Sequence, residues 1–220
     1  MAAYTDLDTF RTFIRTAAVA DDADDPDSAI EQLALDAAAR AIDVACNRTF
    51  DVADVAVSTR YFTYSRGPDP IYMYSVNPVD WYRHAVLTID DLFDTTGMVV
   101  HFDVTGNGGY TGTAVTAYRV GPVNAAAREM PYSQMIFDTG TYPPSINEGI
   151  RVQALWGWDA IPQTIVQANL IQAARFLKRR DAAFGVAGSP DMGNELRLLS
   201  KLDPDVAIMV GAYKRNWGAV

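Results

Sequence analysis

Apolar residues recur every three or four positions at both ends of the chain and every second position in its middle. Leu7, Phe10 and Ile14, with Phe13 beside them, lay one stripe along a helix expected from about Asp6 to Ala17. Thr5 followed by Asp8 has the spacing of a capping box at its start. The run Asp21-Asp-Ala-Asp-Asp-Pro26 interrupts the pattern, because four close carboxylates repel and Pro26 disfavours helix at Asp25. A second helix is expected from Asp27 or Ser28, where Ser28-x-x-Glu31 again reads as a capping box, to a stop near Asn47. Its predicted packing face is narrow and alanine-rich: Ile30, Leu33, Ala34, Ala37, Ala38, Ala41 and Ala45. Small side chains there let another backbone come close.

From about Val55 to Gly157 the period falls to two. Val57–Tyr64, Met98–Val104, Thr113–Val120 and Ile150–Trp156 read as strands. Between them stand the turn residues Arg66–Pro70, Thr95-Thr-Gly97, Gly106-Asn-Gly-Gly109 and Tyr142-Pro-Pro144. The expectation is an antiparallel region of five to seven strands, as a small barrel or sandwich. Helix returns at Pro162, with Val166, Leu170, Ala173 and Leu177 as its stripe, widened by Ile165, Ile171 and Ala174. It ends in Lys178-Arg-Arg180, cations that complement the carboxyl end of a helix dipole. Residues 182–193 have no period and enough glycine for a loop. Asp203-Pro204 caps and opens a last helix, expected to run to about Lys214. The class is α+β, with about four helices at the ends (1–54 and 158–220) and β structure between them (55–157).

Composition narrows the function. Hydrophobic residues make up 49% of the 220, enough for a core, and no apolar run approaches the roughly 18 residues of a membrane span. The opening Met1-Ala-Ala-Tyr-Thr-Asp6 lacks the basic and apolar regions of a signal peptide, and a single cysteine, Cys46, forms no internal disulfide. A cytoplasm, or a particle assembled there, is the expected location. The net charge of −9 argues against gripping nucleic acid, which takes clustered Lys and Arg, and suits a conduit through which DNA slides. The charge is uneven: residues 1–54 hold 12 acids and 4 bases, residues 151–220 hold 6 and 9.

Candidate chemistry is sparse. His101 and Asp103 share a face of a presumed strand and His84 is the other histidine, but no spacing joins them as a metal site; a surface histidine is the simpler reading. Cys46 follows an alanine-rich helix with no local histidine, as a buried thiol would. Gly106–Gly112 lacks the Lys-Ser/Thr of a phosphate loop and reads as a hairpin turn. No nucleophile elbow, His-Glu-x-x-His or Cys-x-x-Cys occurs. The expectation is no enzyme, no cofactor and no metal. Aromatics crowd the middle, among them Tyr61, Tyr72, Tyr74, Trp81, Tyr82, Tyr110, Tyr118 and Tyr132; β-core packing, a protein interface and a carbohydrate-binding face all stay open.

Three stretches carry a resemblance. Ala37–Phe50, an alanine-rich helix ending in Cys46-x-Arg48-x-Phe50, resembles a segment of tailed-phage head-tail connector (adaptor) proteins. Trp156-Gly-Trp-Asp-Ala-Ile-Pro162, continuing through Gln167–Asp181 to Phe184–Gly188, is similar to the same family, as is Leu202–Val206 with Tyr213-Lys-Arg215. The resemblance covers the outer half of the chain. It implies a helical core forming a ring, normally of twelve copies, beneath the portal of a capsid, widening the DNA channel and meeting the next neck or tail protein. Carried over, Tyr213, Lys214, Arg215 and Trp217 become candidate portal contacts. Asp21, Asp22, Asp24 and Asp25 at one end, and Lys178, Arg179 and Arg180 at the other, become candidate intersubunit residues, acidic against basic. The loop 182–193 is a candidate for intersubunit or channel-side contact. Relative to compact family members, residues 55–157 form an insertion between the second and third helices. A head-closure or tail-terminator ring is the nearest alternative, and a β-type carbohydrate-binding module the alternative of another class.

Overall fold

The structure, a computed structural model, describes residues 3–14, 26–53, 55–64, 85–138, 140–181, 186–187, 196–197 and 202–215. Four helices flank a five-stranded antiparallel sheet inserted between the second and third: α1 (Leu7–Ile14), α2 (Pro26–Cys46), β1 (Ser58–Phe62), β2 (Val86–Phe102), β3 (Tyr118–Gly121), β4 (Tyr132–Phe137), β5 (Ile150–Trp156), α3 (Gln163–Asp181) and α4 (Pro204–Gly211). A two-residue pair, β6 (Val186–Ala187) with β7 (Leu196–Arg197), lies between α3 and α4. Contacts gather the chain into two compact units, residues 1–50 with 161–216, and residues 51–160.

In the helical unit, Asp6 and not Thr5 begins α1, since its carboxylate accepts from the Thr9 amide at 2.7 Å and the Thr9 hydroxyl at 2.9 Å. Those two bonds, the amide one foremost, hold the Asp6 carboxyl below the usual carboxylate range. The second expected capping box dissolves into a tertiary contact. Glu31 accepts from Arg11 Nε at 2.7 Å, and Ser28 Oγ lies 2.5 Å from Arg11 Nη2, so an ion pair ties α1 to α2. Phe10 packs between α1, α2 and α3 with Ala34, Leu35, Ala38, Leu170 and Ala173. Small residues on α2 and α3 allow that close approach.

The face of α2 differs from the expectation. Ala34, Leu35, Ala38, Ala39, Ile42 and Cys46 are buried, whereas Leu33 is 67% exposed and Ala37 also faces out. Alanine sits on every side of this helix, so its pattern leaves the orientation weakly specified. Asn47, at φ 52°, ends α2 in the left-handed conformation asparagine tolerates. Asp203 caps α4 by accepting from the Asp205 amide at 3.0 Å, with Pro204 in the first turn. Asp203 also anchors α4 to α3: its amide donates to the buried Gln172 at 2.9 Å, and its carboxylate meets Arg175 at 2.6 Å.

Among the described residues the five strands of this region form one sheet, ordered β1-β5-β2-β4-β3, where the sequence pattern predicts a small barrel or sandwich. On β5 the expected alternation holds along its whole length, burying Ile150, Val152, Ala154 and Trp156. Thr95-Thr-Gly97, expected as a turn, lies inside the 17-residue β2. Register slips between Asp94 and Val99, and Gly97 takes φ 70°. The irregularity lets β2 pair with β4 through Val86–Leu92 and with β5 through Leu92–Phe102. Leu87, Ile89, Leu92, Val100, Met135 and Phe137 complete the core with β5.

The glycine-rich segment does not join two paired strands, since β2 and β3 are not neighbours, but it turns the chain back so that the Val115 amide donates to Val100 O at 2.8 Å. It winds around Asp103, whose carboxylate accepts from the Thr105, Gly106 and Gly108 amides at 3.1, 2.9 and 2.6 Å and from the Thr105 hydroxyl at 3.0 Å. Desolvation pushes the Asp103 carboxyl up, but these bonds outweigh it and hold it below the usual range. Trp156-Gly-Trp158 has a backbone cause. Gly157 takes φ 125°, and a side chain there would meet Asp51 O at 2.8 Å. The close approach lets Trp158 exchange backbone hydrogen bonds with Asp51 and Ala53 at 3.0 and 2.8 Å.

Candidate interface surfaces

The carboxyl end of α2 receives both ends of the helical unit. Tyr4 donates through its hydroxyl to the buried Asp43, accepts from the Phe50 amide at 3.0 Å, and meets the Phe50 ring edge-on at 5.7 Å. Tyr213 approaches the same ring at 5.8 Å. The Arg215 amide donates to Cys46 O at 2.7 Å, and Asn47 Nδ2 to Arg215 O at 3.4 Å. The Cys46-x-Arg48-x-Phe50 segment is thus a hub that holds Tyr4, Tyr213 and Arg215. Cys46 itself is fully buried, its Sγ 3.7 Å from Val210 O, and burial pushes its thiol up to about 11. A thiol so placed is no nucleophile at neutral pH.

Of the candidate portal contacts, Tyr213 is half-buried on Phe50 and Arg215 is buried, while Lys214 is exposed. Trp217 lies outside the described residues, as do Asp21, Asp22, Asp24 and Asp25. Lys178 stands exposed on the last turns of α3 beside the half-buried Arg179; the Arg180 side chain lies outside the described residues. Most of the loop 182–193 does too. His84 and the aromatics Tyr72, Tyr74, Trp81 and Tyr82 fall in the same category.

The sheet carries one polar-aromatic cluster. Tyr61, Arg151 and His101 share a rung across β1, β5 and β2, so they project from one face. Tyr110 folds over them, its ring centroid 4.9 Å from Arg151 Cζ and 5.5 Å from the Tyr61 ring. Arg151 Nη2 lies 3.2 Å from His101 Nδ1; since a guanidinium only donates, that nitrogen accepts. His101 therefore faces Arg151 while Asp103 turns into its loop, and no cluster of three metal-ligating side chains occurs among the described residues. The loop amides that a bound anion would need are already occupied by Asp103.

Two surfaces escaped the sequence reading. On α2, Ala29, Leu33, Ala37 and Val44 are exposed in a line opposite the core face, with Leu33 and Val44 at 67% and 72%. On α4, Ile208 is 78% exposed, next to the exposed Pro204, Ala207, Gly211 and Ala212. The signal available for α4 was its composition: Asp205 is the one charged residue between Pro204 and Gly211. Among the described residues no helix is long and apolar enough to cross a membrane.

No family model matches the chain, and no curated protein does. Solved structures do. A chain from the neck of an empty GTA particle, computed with C6 symmetry, superposes at TM-score 0.51 and 18% identity, over 98% of this chain and 93% of that one. A chain from the virion of a native gene transfer agent (GTA) particle gives TM-score 0.50 at 19% identity, over the same shares. At such identity the likeness is one of fold, and it runs the length of both chains, through the inserted sheet as well as the helices.

Proposed function

We propose that this chain is a structural protein of the neck of a tailed-phage-like particle, a ring-forming adaptor that sits on the portal and extends the DNA channel toward the tail. The observation that carries this reading is the end-to-end likeness to a chain from a GTA particle neck. The resemblance of Ala37–Phe50, Trp156–Gly188 and Leu202–Arg215 to head-tail connectors supports it from the sequence side. So does a surface chemistry suited to assembly: exposed apolar stripes on α2 and α4, and an acidic whole that DNA passes without adhering. In this reading the ring has about twelve copies, as the family resemblance implies, and its other partners are the portal and the next neck or tail protein. Lys214 and Trp217 are the portal contacts, with Tyr213 and Arg215 holding that segment to the α2 hub.

Mixing the purified chain with the portal of the same particle and weighing the product by native mass spectrometry tests this. The expected product carries one copy of the chain per portal subunit. Rings that ignore the portal would make this a head-closure or tail-terminator protein. A chain that remains single and unbound would remove the reading.

A further inference from the structure

Two helices show solvent a face that a finished surface would not leave there. α4 is apolar around its circumference, which is the pattern of a buried helix, yet only Val206 and Val210 are deeply buried and Ile208 is 78% exposed. Opposite the core side of α2, Leu33 and Val44 stand 67% and 72% exposed in line with Ala29 and Ala37. Both stripes are rich in small residues, which bring helix axes close. Neither stripe is matched to a copy of itself: charge sits at the middle of one, Arg40, and at the start of the other, Asp205.

We propose that the two stripes are the two halves of one contact between neighbouring copies, α4 of one lying antiparallel on α2 of the next. The inference rests on the ring reading above, because a rotational ring joins two different patches of the same chain. Charge selects the direction. Seating Ile208 midway between Ala37 and Arg40, with the helices antiparallel, brings Asp205 within about 2 Å of Arg40 along the axis and Ala212 within about 2 Å of Leu33. Asp205 and Arg40 are of opposite sign. With the helices parallel, the same seating sets Asp205 level with Asp36, carboxylate against carboxylate, and leaves Arg40 unmatched. Arg40 is 55% exposed while it contacts Asp43 at 3.0 Å, so its side chain is within reach of a neighbouring copy.

Disulfide trapping between full-length chains tests the contact. Cys46 is buried with its thiol pushed up to about 11, so it stays out of mild oxidation. Chains carrying Leu33→Cys are mixed with chains carrying Ala212→Cys, assembled alone or on the portal, and oxidised; a covalent pair is expected. Mixing Val44→Cys with Ala212→Cys, the parallel arrangement, is expected to yield little. Ile208→Asp, on a side chain exposed in the single chain, is expected to weaken assembly at least about tenfold with an unchanged melting temperature. Rings that form without the Leu33–Ala212 link, or that tolerate Ile208→Asp, overturn this contact and leave the ring reading standing. A wild-type chain that never assembles, with or without portal, overturns both.

Discussion

On β5 every second residue is buried and each of them is apolar: Ile150, Val152, Ala154 and Trp156. The helices follow another rule. Glu31, Asp43, Asn169 and Gln172 are buried among them, while Leu33, Val44 and Ile208 face solvent. The inward positions of the sheet strands build one apolar core, while Val86 on β2 and Val57, Val104 and Val123 beside the strands face solvent. The helical unit instead spends polar groups on specifying how its helices meet, each bond fixing one neighbour: Arg11–Glu31 for α1 on α2, Asn169 Nδ2 to Leu35 O at 3.0 Å for α3 on α2, Gln172 and Arg175 to Asp203 for α4 on α3.

Substitutions can break this comparison, and the largest effect should come from Arg11. Arg11→Ala leaves Glu31 buried without its cation, an expected loss of roughly 3–5 kcal/mol in a urea titration. The sheet's Arg60–Asp90 pair, at 2.7 Å but 41% and 34% exposed, should lose no more than about 1 kcal/mol on Arg60→Ala. Equal losses would erase the distinction between the two regions. Next comes Ala173→Leu, which forces a larger side chain into the fully buried contact with α2 and should cost about 1–3 kcal/mol. Ile150→Val in the sheet, a plain loss of one methylene, should cost about 0.5–1.5 kcal/mol. A normal melting temperature for Ala173→Leu would mean that α2 and α3 are not closely packed.

A smaller and more local effect belongs to the loop around Asp103. Its carboxyl is held below the usual range by the amides and hydroxyl it accepts from, against the pull of desolvation. A depressed folded value means its contribution is present at neutral pH and is lost only as pH falls through that lowered value. The Gly106 and Gly108 amide resonances should therefore titrate together, with a midpoint below that of an ordinary aspartate. A midpoint at or above the ordinary value would contradict the bonding described. The smallest effect is that of salt. If the acidic amino end meets the basic end of α3 across subunits, ring yield should fall by a few-fold as the screening length drops from roughly 10 Å at 0.1 M to about 3 Å at 1 M. An unchanged yield would remove Asp21, Asp22, Asp24, Asp25, Lys178, Arg179 and Arg180 from the interface.

How much of this was legible depended on how strongly a side chain expresses its environment. Strand β5 was read to the residue, because Ile, Val and Trp alternate with Arg and Gln. The α4 start was read from Asp203-Pro204, since cap and proline are local chemistry. The face of α2 was not, because alanine is nearly neutral between core and water, and Ile30 and Leu33 outvoted Leu35 and Ile42. Ser28 and Glu31 kept the spacing of a cap but answer to Arg11, twenty residues before Glu31, a partner that spacing cannot reveal. Thr95-Thr-Gly97 looked like a turn because residues that turn a chain also bend a strand. The first half of β2 and the whole of β4 went unread. Met135 and Phe137 give β4 only two buried positions, and the paired Asp90-Asp91 breaks the alternation of Leu87 and Ile89. The exposed stripes were hidden for a related reason: an apolar residue left on the surface looks, in sequence, like one held for the core.

The most direct measurement is electron cryo-microscopy of the neck in the intact particle. The account predicts density for a ring of this chain directly against the portal, with Lys214 and Trp217 toward it and α4 of each copy on α2 of the next. A particle neck without this chain would contradict it.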